Sequence, residues 1–180
     1  GGNVFIYNGT SVMKDCTLGE GNGAEGGCVY LRDGLITNCT IRANGTTKGS
    51  GGGIYITNGT VADTTIDGAG GTMSWHGGCI YMKGGTVRDT ICRNGVCTST
   101  SGRNGGNFYM ENGTLANVTL ENGTCTAEGG NLYVTGGAIT GLICRGGTSG
   151  SNGGNIRATN GATITDAVSS RRYIRRSSAT

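Results

Sequence analysis

Apolar and polar residues alternate along short stretches of this chain, and the stretches recur. Starting at Gly1, Gly26, Gly51, Gly77, Gly105, Gly129 and Gly153, the copies read GGNVFIYNG, GGCVYLRDG, GGGIYITNG, GGCIYMKGG, GGNFYMENG, GGNLYVTGG and GGNIRATNG, at spacings of 25, 25, 26, 28, 24 and 24 residues. Alternation with period two belongs to an extended strand, whose successive side chains leave on opposite faces. One predicted inward column is Val4, Val29, Ile54, Ile80, Phe108, Leu132 and Ile156; a second is Ile6, Leu31, Ile56, Met82, Met110, Val134 and Ala158. The column between them, Phe5, Tyr30, Tyr55, Tyr81, Tyr109, Tyr133 and Arg157, is predicted to face outward.

Each Asn-Gly-like corner is followed by a second strand. It begins at Val61, Val87, Leu115 and Ile139, with inward pairs Cys16/Leu18, Cys39/Ile41, Thr64/Ile66, Thr90/Cys92, Val118/Leu120 and Leu142/Cys144. A third, looser face carries Thr47, Met73, Cys97 and Cys125 and varies most in length. A single repeat cannot bury its own apolar side, whereas stacked repeats can, with equivalent residues ~4.8 Å apart along an axis. Three short strands in ~25 residues predict an all-β fold, a three-sided parallel β-helix (solenoid) of about seven coils. Parallel strands joined by crossovers are normally right-handed, so a right-handed helix is expected. One domain covers residues 1–170, and 171–180 form a basic tail.

Composition agrees with this picture. Glycine is 39 of 180 residues and proline is absent. Proline removes a ladder donor, so a stacked sheet excludes it. Glycine serves corners that need positive φ. The formal net charge is +3, with four arginines in RRYIRR (Arg171, Arg172, Arg175, Arg176); removing them leaves ten basic against eleven acidic residues. The body is therefore near neutral, and no basic face for nucleic acid is expected. No apolar run approaches the ~20 residues of a membrane span.

These GGNIY-like strands, followed by NGT(V/L)xx(C/V/T)T(I/L), resemble the Gly-Gly-rich β-helix repeats of large bacterial surface proteins. They are similar to polymorphic outer-membrane-type and adhesin passenger repeats within the pectin-lyase-like architecture. The resemblance covers about residues 1–170. It implies a secreted or cell-surface location. The Phe-x-x-Asn element of the polymorphic outer-membrane family is not a regular feature here.

Chemistry is sparse. An Asx column, Asp15, Asn38, Asp63, Asp89, Asn117 and Asp166, reads as a stacked polar corner rather than a metal site. His76 and Trp75 are the only residues of their types. They fall in the variable stretch GTMSWHGG and read as a surface loop. No catalytic motif, cofactor site or metal site emerges. Asn3, Asn107, Asn131 and Asn155 predict an amide ladder, each side chain bonding to the next. Tyr30, Tyr55, Tyr81, Tyr109 and Tyr133 predict a flat outward aromatic strip, suited to sugar rings, to a protein contact, or to stabilising its own sheet. Eight cysteines allow bridges at Cys16–Cys39 and Cys97–Cys125, or small buried hydrophobes in those slots.

At the ends, Asn155, Ile156 and Asn160 of the last coil match Asn3, Val4 and Asn8 of the first. Both end coils have a longer corner than those between. Val4, Phe5 and Ile6 are expected to meet Ile156, Arg157 and Ala158 of another copy, with Arg157 over the Phe5 ring. Such a contact does not close and makes a filament. The expectation is a non-catalytic extracellular structural subunit that polymerises head to tail. Its alternatives are a cell-surface adhesin or stalk fragment that binds glycans or a host surface, and a polysaccharide lyase-like enzyme.

Overall fold

The computed structural model describes residues 1–73, 75–98, 102 and 104–170; the basic tail, 171–180, lies outside the described residues. The described chain is a parallel β-solenoid without helices, built on three seven-stranded sheets. The first sheet holds Val4–Ile6, Val29–Leu31, Ile54–Ile56, Ile80–Met82, Phe108–Met110, Leu132–Val134 and Ile156–Ala158. The second runs from Val12–Lys14 through Leu35–Thr37, Thr60–Ala62, Thr86–Arg88, Thr114–Ala116 and Ala138–Thr140 to Thr163–Thr165. The third runs from Thr17–Gly19 through Thr40–Arg42, Thr65–Asp67, Ile91–Arg93, Thr119–Glu121 and Ile143–Arg145 to Val168–Ser170. Six turns separate the first strand of a sheet from the last.

Register never slips. Val4, Val29, Ile54, Ile80, Phe108, Leu132 and Ile156 are successive partners, as the repeat predicts. The unequal spacing is absorbed in the segments that precede the Gly-Gly pairs and in the longer corners of the end coils. Both inward columns fill the tube: Leu31, Ile54, Ile56, Ile80, Met82, Phe108 and Met110 are fully buried. Burial of such side chains contributes about 1.5–3 kcal/mol each.

One element differs from expectation. The single second strand predicted after each Asn-Gly corner is two strands, one in the second sheet and one in the third. The Asx column is the break. Asp15, Asn38, Asp63, Asp89, Asn117 and Asp166 have φ between 48° and 56°, and Gly141 takes their place in the sixth coil with φ 62°. Asx residues tolerate this left-handed conformation better than other side chains, and glycine adopts it freely. The looser face survives only as two-residue bridges, Thr46–Thr47 with Thr72–Met73, and Val96–Cys97 with Thr124–Cys125 and Thr148–Ser149.

The Gly-Gly pair serves two separate demands. In the fifth coil Gly105 sits at φ 78°, and a Cβ on Gly106 would lie 2.1 Å from the carbonyl oxygen of Gly130. The first glycine supplies the turn and the second lets neighbouring coils touch backbone to backbone.

Candidate functional site

The outward column of the first sheet forms a continuous aromatic ladder. Ring centroids are 5.1 Å apart for Phe5–Tyr30 and Tyr30–Tyr55, 4.9 Å for Tyr55–Tyr81, 5.1 Å for Tyr81–Tyr109 and 5.2 Å for Tyr109–Tyr133. The rings of the last two pairs are nearly parallel, at 7° and 11°. Strand spacing dictates this separation, because the parallel register superimposes the residues.

The ladder is not a uniformly open strip. Tyr55 is 4% and Tyr81 8% exposed. The segments before the Gly-Gly pairs fold over the sheet there and leave a cleft of about 450 Å³ above the two rings. Glu25, Lys48 and Ser50 come from one side, Trp75 and His76 from the next corner, and Lys83 from the strand end. The Tyr81 hydroxyl donates to Glu111 Oε1. Burial first, and then this bond to a carboxylate, push the Tyr81 phenol well above its ordinary pKa. Burial raises Tyr55 too, against the opposing pull of Lys83, whose ammonium lies 5.7 Å from the Tyr55 ring.

His76 and Trp75 therefore belong to the architecture as well as to a surface loop. The His76 ring lies 4.3 Å from Tyr109. Its Nδ1 accepts the Asn104 N–H at 3.0 Å, and its carbonyl accepts the Gly51 N–H at 2.9 Å. The residue before each Gly-Gly pair, Glu25, Ser50, His76, Asn104, Glu128 or Asn152, is a column that sequence reasoning missed. Asn152 Nδ2 donates to Glu128 Oε1 at 2.8 Å, and the Glu128 N–H donates to Asn104 Oδ1 at 3.1 Å. Its signal was position: one polar residue at a fixed offset in every copy. Its varied chemistry hid it.

The asparagine ladder forms where asparagines are consecutive. Asn107 Nδ2 donates to Asn131 Oδ1 at 2.7 Å, and Asn131 Nδ2 to Asn155 Oδ1 at 2.9 Å. Each oxygen also accepts a glycine N–H, from Gly95, Gly123 or Gly147. Each amide also donates across the tube to a carbonyl, that of Glu121, Arg145 or Ser170. Asn3 stands apart in the first coil and donates to Gly19 O at 2.9 Å. Cys28 and Cys79 occupy the same slot and make the same cross-brace, to Arg42 O and Arg93 O, both at 3.4 Å.

All eight cysteines are thiols in this structure. Cys16 and Cys39 each donate to the carbonyl two residues back, Lys14 O and Thr37 O, at 3.1 Å. Thr64 and Thr90 do the same from the same slot, at 2.7 and 2.8 Å. Val118 and Leu142 fill the same slot in later coils, so the position takes either a small donor that bonds back or an apolar side chain. Cys97 and Cys125 are in register on neighbouring coils, and a hydrogen bond from Cys97 lowers the Cys125 thiol pKa. Cys97 Sγ also donates to Trp75 O at 2.7 Å.

Asp63 and Asp89 do not frame a cation site, because Arg88 lies between them, with Nη1 3.8 Å from Asp63 and 3.0 Å from Asp89. Among the described residues, no group of three or more His, Cys, Asp or Glu side chains is placed to hold a metal. Likewise, no helix is long and apolar enough to cross a membrane.

The end residues lie on opposite faces of the tube. Val4, Phe5 and Ile6 are in the first coil. Ile156, Arg157 and Ala158 are in the last, where Arg157 Nε reaches Glu128 Oε2 at 3.3 Å. No protein family, curated protein or solved structure matches this chain.

Proposed function

We propose that this protein is a non-catalytic structural solenoid of the extracellular or cell-surface setting, and that copies of the chain stack end to end into a filament. One observation carries the reading: the first and last described coils keep the interior register, and among the described residues several of their inward positions are part-exposed. Val4 and Leu18 at one face, and Ile156 and Ile164 at the other, are half-covered, whereas their interior counterparts Ile54, Ile66 and Val87 are fully buried. The first face opens a recess of about 390 Å³ lined by Val4, Ile6, Met13 and Leu18.

An added coil would complete each interrupted column. Asn155 Nδ2, which donates to Ser169 Oγ within its own chain, would exchange that bond for one to Asn3 of the next copy. Arg157 would follow Tyr133 and precede Phe5. The outer edges of the first and last described strands, a geometry that invites pairing, would be covered. The neutral body supports close stacking of copies, because little charge repulsion opposes it. Burial raises the Cys28, Cys39, Cys79 and Cys144 thiol pKa values and lowers the reactivity of these groups, whereas Cys125 shifts the other way.

Negative-stain electron microscopy of the purified chain tests the reading. Fibres about one coil-width across are expected, and Leu18→Arg or Ile156→Arg should abolish them while far-ultraviolet circular dichroism is retained. A wild-type chain that stays monomeric at high concentration overturns it.

A further inference from the structure

The cleft over Tyr55 and Tyr81 departs from the repeat, and the departure is one side chain. Two residues before the Gly-Gly pair, the chain carries Ala24, Gly49, Ala127 and Ser151, and Arg103 in the fourth coil. The third carries Trp75, the only tryptophan, and it remains 44% exposed. Alanine, glycine and serine suffice for stacking in four other coils, so stacking does not call for an indole. A large aromatic held half in solvent beside a concave, mixed-polarity surface is what a ligand site presents.

The charges around the cleft set the ligand class. Lys48 and Lys83 are matched by Glu25 and Glu111, and the two inner members are already engaged, Lys83 with Tyr55 and Glu111 with Tyr81. An anion entering would meet Glu25, with Glu111 behind the Tyr81 hydroxyl; a cation would meet two ammonium groups. A neutral polyhydroxylated molecule meets neither objection. Its hydroxyls can donate to the Glu25 carboxylate and accept from Lys48. Its C–H face can cover the indole of Trp75. At about 450 Å³ the volume suits a small ligand.

We propose that this cleft binds neutral glycans, taking one or two pyranose units with a ring face on Trp75 and hydroxyls on Glu25 and Lys48. The site lies on the side of the tube, between the first and fourth coils, so it operates on a monomer or a filament.

Trp75 is the natural probe, because its emission reports this cleft alone. The full chain is titrated with cellotriose, maltotriose, mannobiose, galactobiose and chitobiose, with digalacturonate as the acidic counterpart, and tryptophan emission is followed. At least one neutral oligosaccharide should give a saturable change. On a glycan array, Trp75→Ala should lower binding to that sugar at least tenfold, and Glu25→Gln several-fold. Both substitutions are at exposed positions, and unchanged circular dichroism shows that the fold is kept. Lys48→Ala provides a third variant if either fails to express. The proposal is overturned if no neutral sugar gives a saturable change, if only digalacturonate does, or if the variants bind as well as the parent. Trp75→Ala and Lys48→Ala lie in interior coils, so fibre formation and sugar binding can fail separately.

Discussion

At the scale of single residues, the buried amide of Asn131 carries the most connections. It accepts from Asn107 and the Gly123 N–H, and donates to Asn155 and the Arg145 carbonyl. Asn131→Ala orphans buried groups on three coils, each worth about 1–3 kcal/mol when left without a partner. Chemical denaturation of Asn131→Ala should therefore show a loss of several kcal/mol, whereas Asn3→Ala, at an exposed position, should cost far less. The ladder was legible in the sequence, because asparagine recurs at one offset. The equivalence of Cys28 and Cys79 with asparagine was not. Sequence shows only that cysteine interrupts the run; it takes the shared carbonyl acceptors to show that a thiol makes the same cross-brace. The cysteine slots at 16 and 39 tell a similar story, since a two-residue back-bond cannot be told from a bridge by spacing.

At the scale of strands and corners, backbone contact decides what is tolerated. Gly106→Ala would place a methyl 2.1 Å from Gly130 O, while Gly19→Ala meets nothing closer than 3.5 Å. A large fall in melting temperature is expected for the first and little change for the second, by differential scanning calorimetry. The third sheet adds an outward charge ladder, with Arg93 Nε 2.8 Å from Asp67 Oδ2 and Arg145 Nη1 3.7 Å from Glu121 Oε1. Burial pushes the Asp67 carboxyl pKa up, but bonds from Asn94, the Ala69 N–H and Arg93 outweigh it and hold the value below the ordinary one. A carboxyl depressed in the folded state contributes its stabilisation above the unfolded pKa, about 3.9, and loses it as pH falls through the folded value. Melting temperature should accordingly fall with acidification below about pH 4, and Asp67→Asn should flatten part of that fall.

The strand positions themselves were readable from period-two alternation. The break between second and third sheets was not, because Asp and Asn read as polar surface residues until their φ values are known. The cleft escaped for a different reason. Alternation predicts which way Tyr55 and Tyr81 point, but what folds over them is set by the irregular segments, where the repeat gives no guidance.

At the scale of the molecule, each coil rests only on its neighbours, so stability is a sum of nearest-neighbour terms and the end coils are the weakest. Joining two ends converts the weakest coils into interior ones, which gives the proposed stacking its driving force. Filament growth and thermal stability should then rise together with protein concentration.

The stacked phenols also form an optical array. Five tyrosine rings about 5 Å apart, with Phe5 edge-on at one end, run most of the length of the tube, and the indole of Trp75 stands beside the middle of the row. Light absorbed by any tyrosine along the row can pass from ring to ring and leave as indole emission, so the protein carries its own gauge of whether the windings are aligned.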